Sequence, residues 1–160
     1  MVPFQVLLIP LFIVTLKLGL VDSYAGVILP VAVNAFGIFL LRQAFSTIPK
    51  DLEEAARIDG CTDFQIFYQI MIPLVKPALA TLAAFTFVAQ WNDFIWPLIV
   101  LNNRDLYTLQ LGLASLQGVF GVNWRYISAA SIIALVPTVV FFLCTQRFFT
   151  KGATAGAVKG

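Results

Sequence analysis

Residues 126–146, YISAASIIALVPTVVFFLCTQ, contain no charged side chain, and the first charge after them is Arg147. A bilayer core about 30 Å thick is crossed by roughly 20 mostly apolar residues in a helix. This stretch meets that length, so it reads as a membrane span. Upstream, residues 77–103 are interrupted only by Asp93, and residues 23–41 are uncharged up to Arg42. Residues 2–16 are uncharged before Lys17 but short, and they hold Pro3 and Pro10. Proline inside a span is tolerable where neighbouring helices satisfy the freed carbonyls. The expected architecture is all-α and multi-pass, with spans over 2–17, 23–42, 76–101 and 125–147. They form a transmembrane domain over 1–149, followed by a small-residue tail over 150–160.

Composition agrees with a lipid-facing surface. Hydrophobic residues make up 60% of the 160 positions and charged residues 11%, with a mean hydropathy of +0.91. A soluble domain carries about a quarter of its residues charged. The net charge of +2 and the lack of any Lys/Arg run give nucleic acid nothing to bind. Histidine is absent, which removes the commonest metal ligand and general base. Cys61 and Cys144 are far apart and read as free thiols. No basic segment precedes the apolar start, so the first span serves as its own insertion signal or the natural start lies upstream.

Lys/Arg placement sets orientation. With the polar island 43–76 and the tail inside, the inner side holds Arg42, Lys50, Arg57, Lys76, Arg147, Lys151 and Lys159. The outer side holds only Lys17, Arg104 and Arg125. The island and the C-terminus are therefore expected in the cytosol.

The island itself reads as two short helices joined by a sharp turn. Pro49 suits a first helical turn, and Asp51, Glu53 and Glu54 follow at the positive end of that helix. Gly60 is the expected left-handed stop. Thr62 and Gln65 have capping-box spacing, and Phe64, Phe67, Tyr68 and Met71 recur at helical intervals. Pro73 is expected to mark the start of the third span.

Glu54-Ala55-Ala56, then Asp59-Gly60, Ile70 and Ile72-Pro73 resemble the EAA loop of binding-protein-dependent ABC importers, with Ile72 departing from the usual leucine before the proline. Trp91-Asn92-Asp93-Phe94-Ile95-Trp96-Pro97-Leu98 and the ending Gln146-Arg147-Phe148-Phe149 with Gly152–Gly160 resemble the carbohydrate-uptake branch. The likeness is to the second membrane subunit of maltose-type importers, and it runs from Val2 to Gly160. It implies a coupling loop over 49–73 that docks into an ATP-binding subunit through Glu54, Ala55, Ala56, Asp59, Gly60, Ile70 and Pro73. It also implies a dimer of ATP-binding subunits, a second permease subunit and an extracytoplasmic sugar-binding protein as partners, all at the bacterial inner membrane. Small residues permit close docking, Gly60 gives a turn without a Cβ, and Glu54 offers a charge-assisted bond to a partner arginine. Asp59 is expected to cap the second helix or hold the turn. The resemblance implies that the tail lies against the ATP-binding subunit, whereas its composition alone reads as a disordered end.

Asp93 has two readings. A carboxylate at a helix centre costs roughly 2.5–3.5 kcal/mol on insertion scales, so it must face protein or water. Either Trp91, Asn92 and Asp93 line a translocation path for a sugar, or they mark a helix break near the outer interface that Pro97 ends. Asn34 and Gln90 suit interhelical hydrogen bonds.

No phosphate-binding Gly-rich loop and no Ser/His/Asp or Cys/His set occurs. The chain therefore reads as a permease rather than an enzyme, with no cofactor of its own and ATP used by a partner. Permeases of the resembled kind have six spans, and this chain matches the last four. That leaves a fragment of a longer subunit or a truncated, non-transporting product. An importer for another solute is the remaining alternative.

Overall fold

The computed structural model describes residues 3–118, 121, 122 and 124–155. It is all-helical apart from a two-residue antiparallel pairing of Gln117–Gly118 with Gly121–Val122. The chain divides into two compact units, one of residues 1–34 and 87–141, the other of residues 35–86 and 142–160.

Among the described residues one helix, Trp124–Gln146, is long and apolar enough to cross a membrane, or up to three if each of two bent helix pairs is one span. Three of the four expected spans are thus not single full-length helices, and the reasons are local. The first helix is Phe4–Lys17, only 14 residues, and it includes Pro10. It ends where Gly19 takes φ +68. The second expected span starts at Tyr24 and tightens into a 3-10 turn over Leu29–Val31, which carries Pro30. Proline has no N–H to continue the ladder. Helix resumes only at Ala35 and runs to Ser46, past Arg42. The third expected span stops at Trp91 and restarts at Ile95. The fourth is continuous from Trp124 to Ala155.

In the first unit, the buried centre includes Trp96, Val100, Leu101 and Leu111. Trp96 is 0% exposed, and its indole N–H donates to the Gly26 carbonyl at 3.1 Å. Gly26 is required there, because a Cβ would run into the Leu20 carbonyl. Asp22, at φ +59, also ties this unit together. Its Oδ1 accepts the backbone N–H groups of Asn102 and Asn103 at 2.9 and 2.8 Å. Its own N–H donates to the Val100 carbonyl at 2.9 Å.

The second unit holds the polar island and is built around Ala56, Ile66 and Val75. Phe45 stacks on Phe67, and Phe36 meets Phe85 edge-on.

Candidate functional site

The polar island folds as two helices about a sharp elbow. Pro49 sits just outside the first helix, Lys50–Ile58, with extended backbone. Asp51 and Glu53 occupy the first turn and Arg57 the last, which matches the helix dipole at both ends. The helix closes with the paired bonds of a glycine stop. Gly60 N–H donates to the Arg57 carbonyl at 3.1 Å, and Cys61 N–H donates to the Ala56 carbonyl at 3.0 Å. Gly60 takes φ +84.

The second elbow helix starts at Asp63, after the intervening residues 59–62. Thr62 caps it with both halves of a capping box. Thr62 N–H donates to Gln65 Oε1 at 2.8 Å, and Gln65 N–H donates to Thr62 Oγ1 at 3.4 Å. Thr62, not Asp59, therefore caps this helix. Asp59 ends the first one instead. The second helix widens to a π-helical stretch over Ile66–Met71. That widening lies directly upstream of Pro73, whose ring would collide with the carbonyl four residues back in a regular α-helix. Pro73 stays inside the helix rather than marking the start of the next. The chain bends by 73° between Asp63–Leu74 and Lys76–Trp91, with the break at Val75.

The two elbow helices pack where Ala56 and Ile66 are 5% and 3% exposed. Ala55 lies on the outside with Glu54. Beside them, Ile58 is 86% exposed and Phe64 71%, and the Phe64 and Tyr68 rings lie 4.8 Å apart. Ile70 is half-buried and Pro73 exposed. The element thus presents several carboxylates, Glu54 among them, and several apolar side chains to its surroundings.

In the sequence Arg57 counts only as one of the inner-side charges, and the structure gives it a specific place. Its Nη2 lies 2.9 Å from Glu53 Oε1 and 3.0 Å from Asp63 Oδ1. The hydrogen bond to Glu53, then the negative charges of Asp63 and Glu53, raise its pKa above the ordinary value. The Glu53–Arg57 spacing of four was visible in the sequence, but the bridge to Asp63 depends on the turn.

Trp91, Asn92 and Asp93 lie in the first unit. The helix Lys76–Trp91 ends as Asn92 Nδ2 donates to the Val88 carbonyl at 2.8 Å. Asp93 Oδ1 accepts the Trp96 N–H at 3.5 Å. Pro97 therefore does not end the helix: it sits in the short helix Ile95–Val100, and the break comes earlier. Trp91 donates its indole N–H to the Ala134 carbonyl at 3.0 Å and stacks on Phe87. Asn92 is exposed, and Asp93 is half-buried.

Among the described residues, one helix long and apolar enough to cross a membrane, broken apolar helices and a polar two-helix elbow are the features of a membrane component. Residues 1–151 match the family of binding-protein-dependent transport system inner membrane components, and the chain belongs to that family. It is 46% identical over its whole length to the arabinooligosaccharides transport system permease protein AraQ of Halalkalibacterium halodurans, covering 57% of that protein. It is 36% identical to the lactose transport system permease protein LacG of Rhizobium radiobacter, with 99% of this chain and 58% of that protein covered. The chain thus spans little more than half the length of these relatives. Among solved structures, it is similar to a chain of a bacterial ABC transporter involved in the import of the acidic polysaccharide alginate. There the TM-score is 0.79 at 32% identity, over 88% of this chain and 55% of that one. These relatives are components of transport systems, which bears out the reading of a permease rather than an enzyme.

Proposed function

We propose that this chain works as part of a permease subunit in an ATP-driven importer. The importer carries a sugar across the bacterial inner membrane, and residues 49–73 couple the permease to a separate ATP-binding subunit. The observation that carries this reading is the elbow. Its inside is fixed by a glycine stop, a capping box and the burial of Ala56 and Ile66. Its outside leaves Glu54, Ala55 and Ile58 exposed. A stiff element that sets Glu54 beside exposed apolar side chains suits docking into a cleft lined by an arginine and apolar groups. Asp59 and Gly60 shape the turn, while Ile70 and Pro73 sit where the second helix leads toward the membrane.

In the assembled transporter, ATP-driven closure of two ATP-binding subunits moves the docked elbow and, through it, the spans. Coupling of this kind needs contacts that differ between the two states. The partners are the ATP-binding subunit dimer, a second permease subunit and an extracytoplasmic sugar-binding protein. The four apolar segments cross the bilayer, two of them as broken helices, with the elbow and the C-terminus in the cytosol as the Lys/Arg asymmetry requires. Exposed Asn92, at the helix break beside Asp93, is assigned to the wall of the translocation path, with Trp91 anchored behind it. The names of the relatives, which concern arabinooligosaccharides and lactose, favour a sugar as the solute.

The test is a Glu54→Lys variant of the permease, assembled with its partner subunits in proteoliposomes. ATP hydrolysis is expected to continue while uptake falls. Unchanged uptake with a normal ratio of solute carried to ATP consumed overturns the docking role.

A further inference from the structure

We propose that Arg57 is a positioning residue of energy coupling: it locks the angle of the elbow by bridging the two helices across Gly60. This inference rests on the docking role proposed for residues 49–73. A lever passes on displacement only if its own joint does not give. The joint here is a glycine at φ +84 with nothing within 4 Å of where a Cβ would stand, so the inner contact of Ala56 and Ile66 is the packing that holds the two helices together. The glycine stop and the capping box each order one side of the turn. Arg57 reaches over it.

Its guanidinium meets Glu53 one turn back on its own helix and Asp63 at the first position of the next. A planar fork holds two carboxylates in fixed directions, which a flexible ammonium does less well. The charges also fit both helix ends, with the cation in the last turn of the first helix and Asp63 in the first turn of the second. As a free element the triad is open to water, with 54% of the Arg57 side chain and 81% of Asp63 exposed. Exposed ion pairs are weak and screened by salt. Seating in a protein cleft removes that water and strengthens the bridge. The lock therefore tightens where and when force passes through the elbow.

The experiment measures solute imported per ATP hydrolysed, at equal permease abundance in the membrane, for the assembled transporter in proteoliposomes. Arg57→Gln is expected to lower that ratio about two- to fivefold, the range that a bridge of this exposure supports. Asp63→Asn is expected to do the same, and the double variant to be no worse than either single one. Arg57→Lys should fall between wild type and Arg57→Gln. A purely structural residue would lower abundance and leave the ratio alone. If Arg57→Gln does not reach the membrane, Asp63→Asn alone reads the bridge, and a wild-type ratio there overturns the inference. Additive losses in the double variant also overturn it. Glu54→Lys, run in parallel, separates the two claims. A normal ratio in Glu54→Lys removes the docking role itself, whereas a lowered ratio there with a normal one in Arg57→Gln removes only the lock.

Discussion

Replacing Gly60 tests the elbow most sharply, because its surroundings separate backbone conformation from packing. No heavy atom lies within 4 Å of a Cβ placed on Gly60, so a small side chain meets no clash. What it meets is the backbone at φ +84. For an L-residue the left-handed region costs about 1–2 kcal/mol. Removing a glycine returns roughly 0.4–1 kcal/mol by restricting the unfolded chain. Gly60→Ala should therefore weaken the turn by about 1 kcal/mol, or about fivefold in the population of the correct elbow. Asparagine tolerates the left-handed region, so Gly60→Asn should lie close to wild type. Gly60→Pro adds separate penalties. It fixes φ near −65°, removes the N–H that donates to the Arg57 carbonyl, and disfavours the helical conformation held by Asp59. The elbow cannot form in that variant. In proteoliposomes containing the assembled transporter, uptake per ATP should rank wild type, Asn, Ala and then Pro, with hydrolysis persisting throughout. An Ala variant as damaged as Pro, or a Pro variant with normal uptake, refutes the reasoning.

Other outcomes follow from the first unit. Trp96→Phe keeps most of the buried ring but loses the bond to the Gly26 carbonyl, and should cost about 1–3 kcal/mol. Trp96→Ala should cost about 3–5 kcal/mol. Thermal unfolding of the solubilised permease reads both, and a Phe variant as stable as wild type would remove the hydrogen bond's role. Asp22→Ala loses two bonds to backbone N–H groups at a positive φ, for about 1.5–3 kcal/mol per charge-assisted bond at most. Asp22→Asn keeps both an acceptor and a tolerated backbone, so the same melt should find it milder. Gly26→Ala should destabilise far more than Gly112→Ala, because a methyl at 26 strikes the Leu20 carbonyl while one at 112 meets nothing within 4 Å.

The elbow was legible in the sequence because its signals are local. Gly60 as a stop and the Thr62–Gln65 box act over three or four residues, and no distant contact overrides them. The same locality explains what was missed. Ala55 and Ala56 look alike in a motif, yet one faces outward and the other is buried against the second helix, a distinction only the turn decides. Hydropathy counting joined residues 76–101 into one span because Asn92 and Asp93 are two polar positions in a long apolar window. Their side chains nonetheless bond to nearby backbone, and Asp93 receives the next helix as the old one ends. In the sequence Pro73, and on one of the two readings of Asp93 also Pro97, look like boundaries, whereas a π-helical widening absorbs the first and the first turn of a short helix accepts the second. The Trp96–Gly26 and Asp22–Asn102 links join positions some 70 and 80 residues apart. No pattern in the sequence pairs them.

The central claim is that residues 49–73 work in the cytosol against a nucleotide-hydrolysing partner, and Ile58 offers the direct test. This side chain is 86% exposed at the elbow, so a photoreactive amino acid placed there disturbs no packing. In inside-out membrane vesicles containing the assembled transporter, irradiation should crosslink position 58 to the ATP-binding subunit, with a yield that changes when ATP is added. Labelling of position 58 only from the extracytoplasmic face, or crosslinks that never include the ATP-binding subunit, would contradict the account.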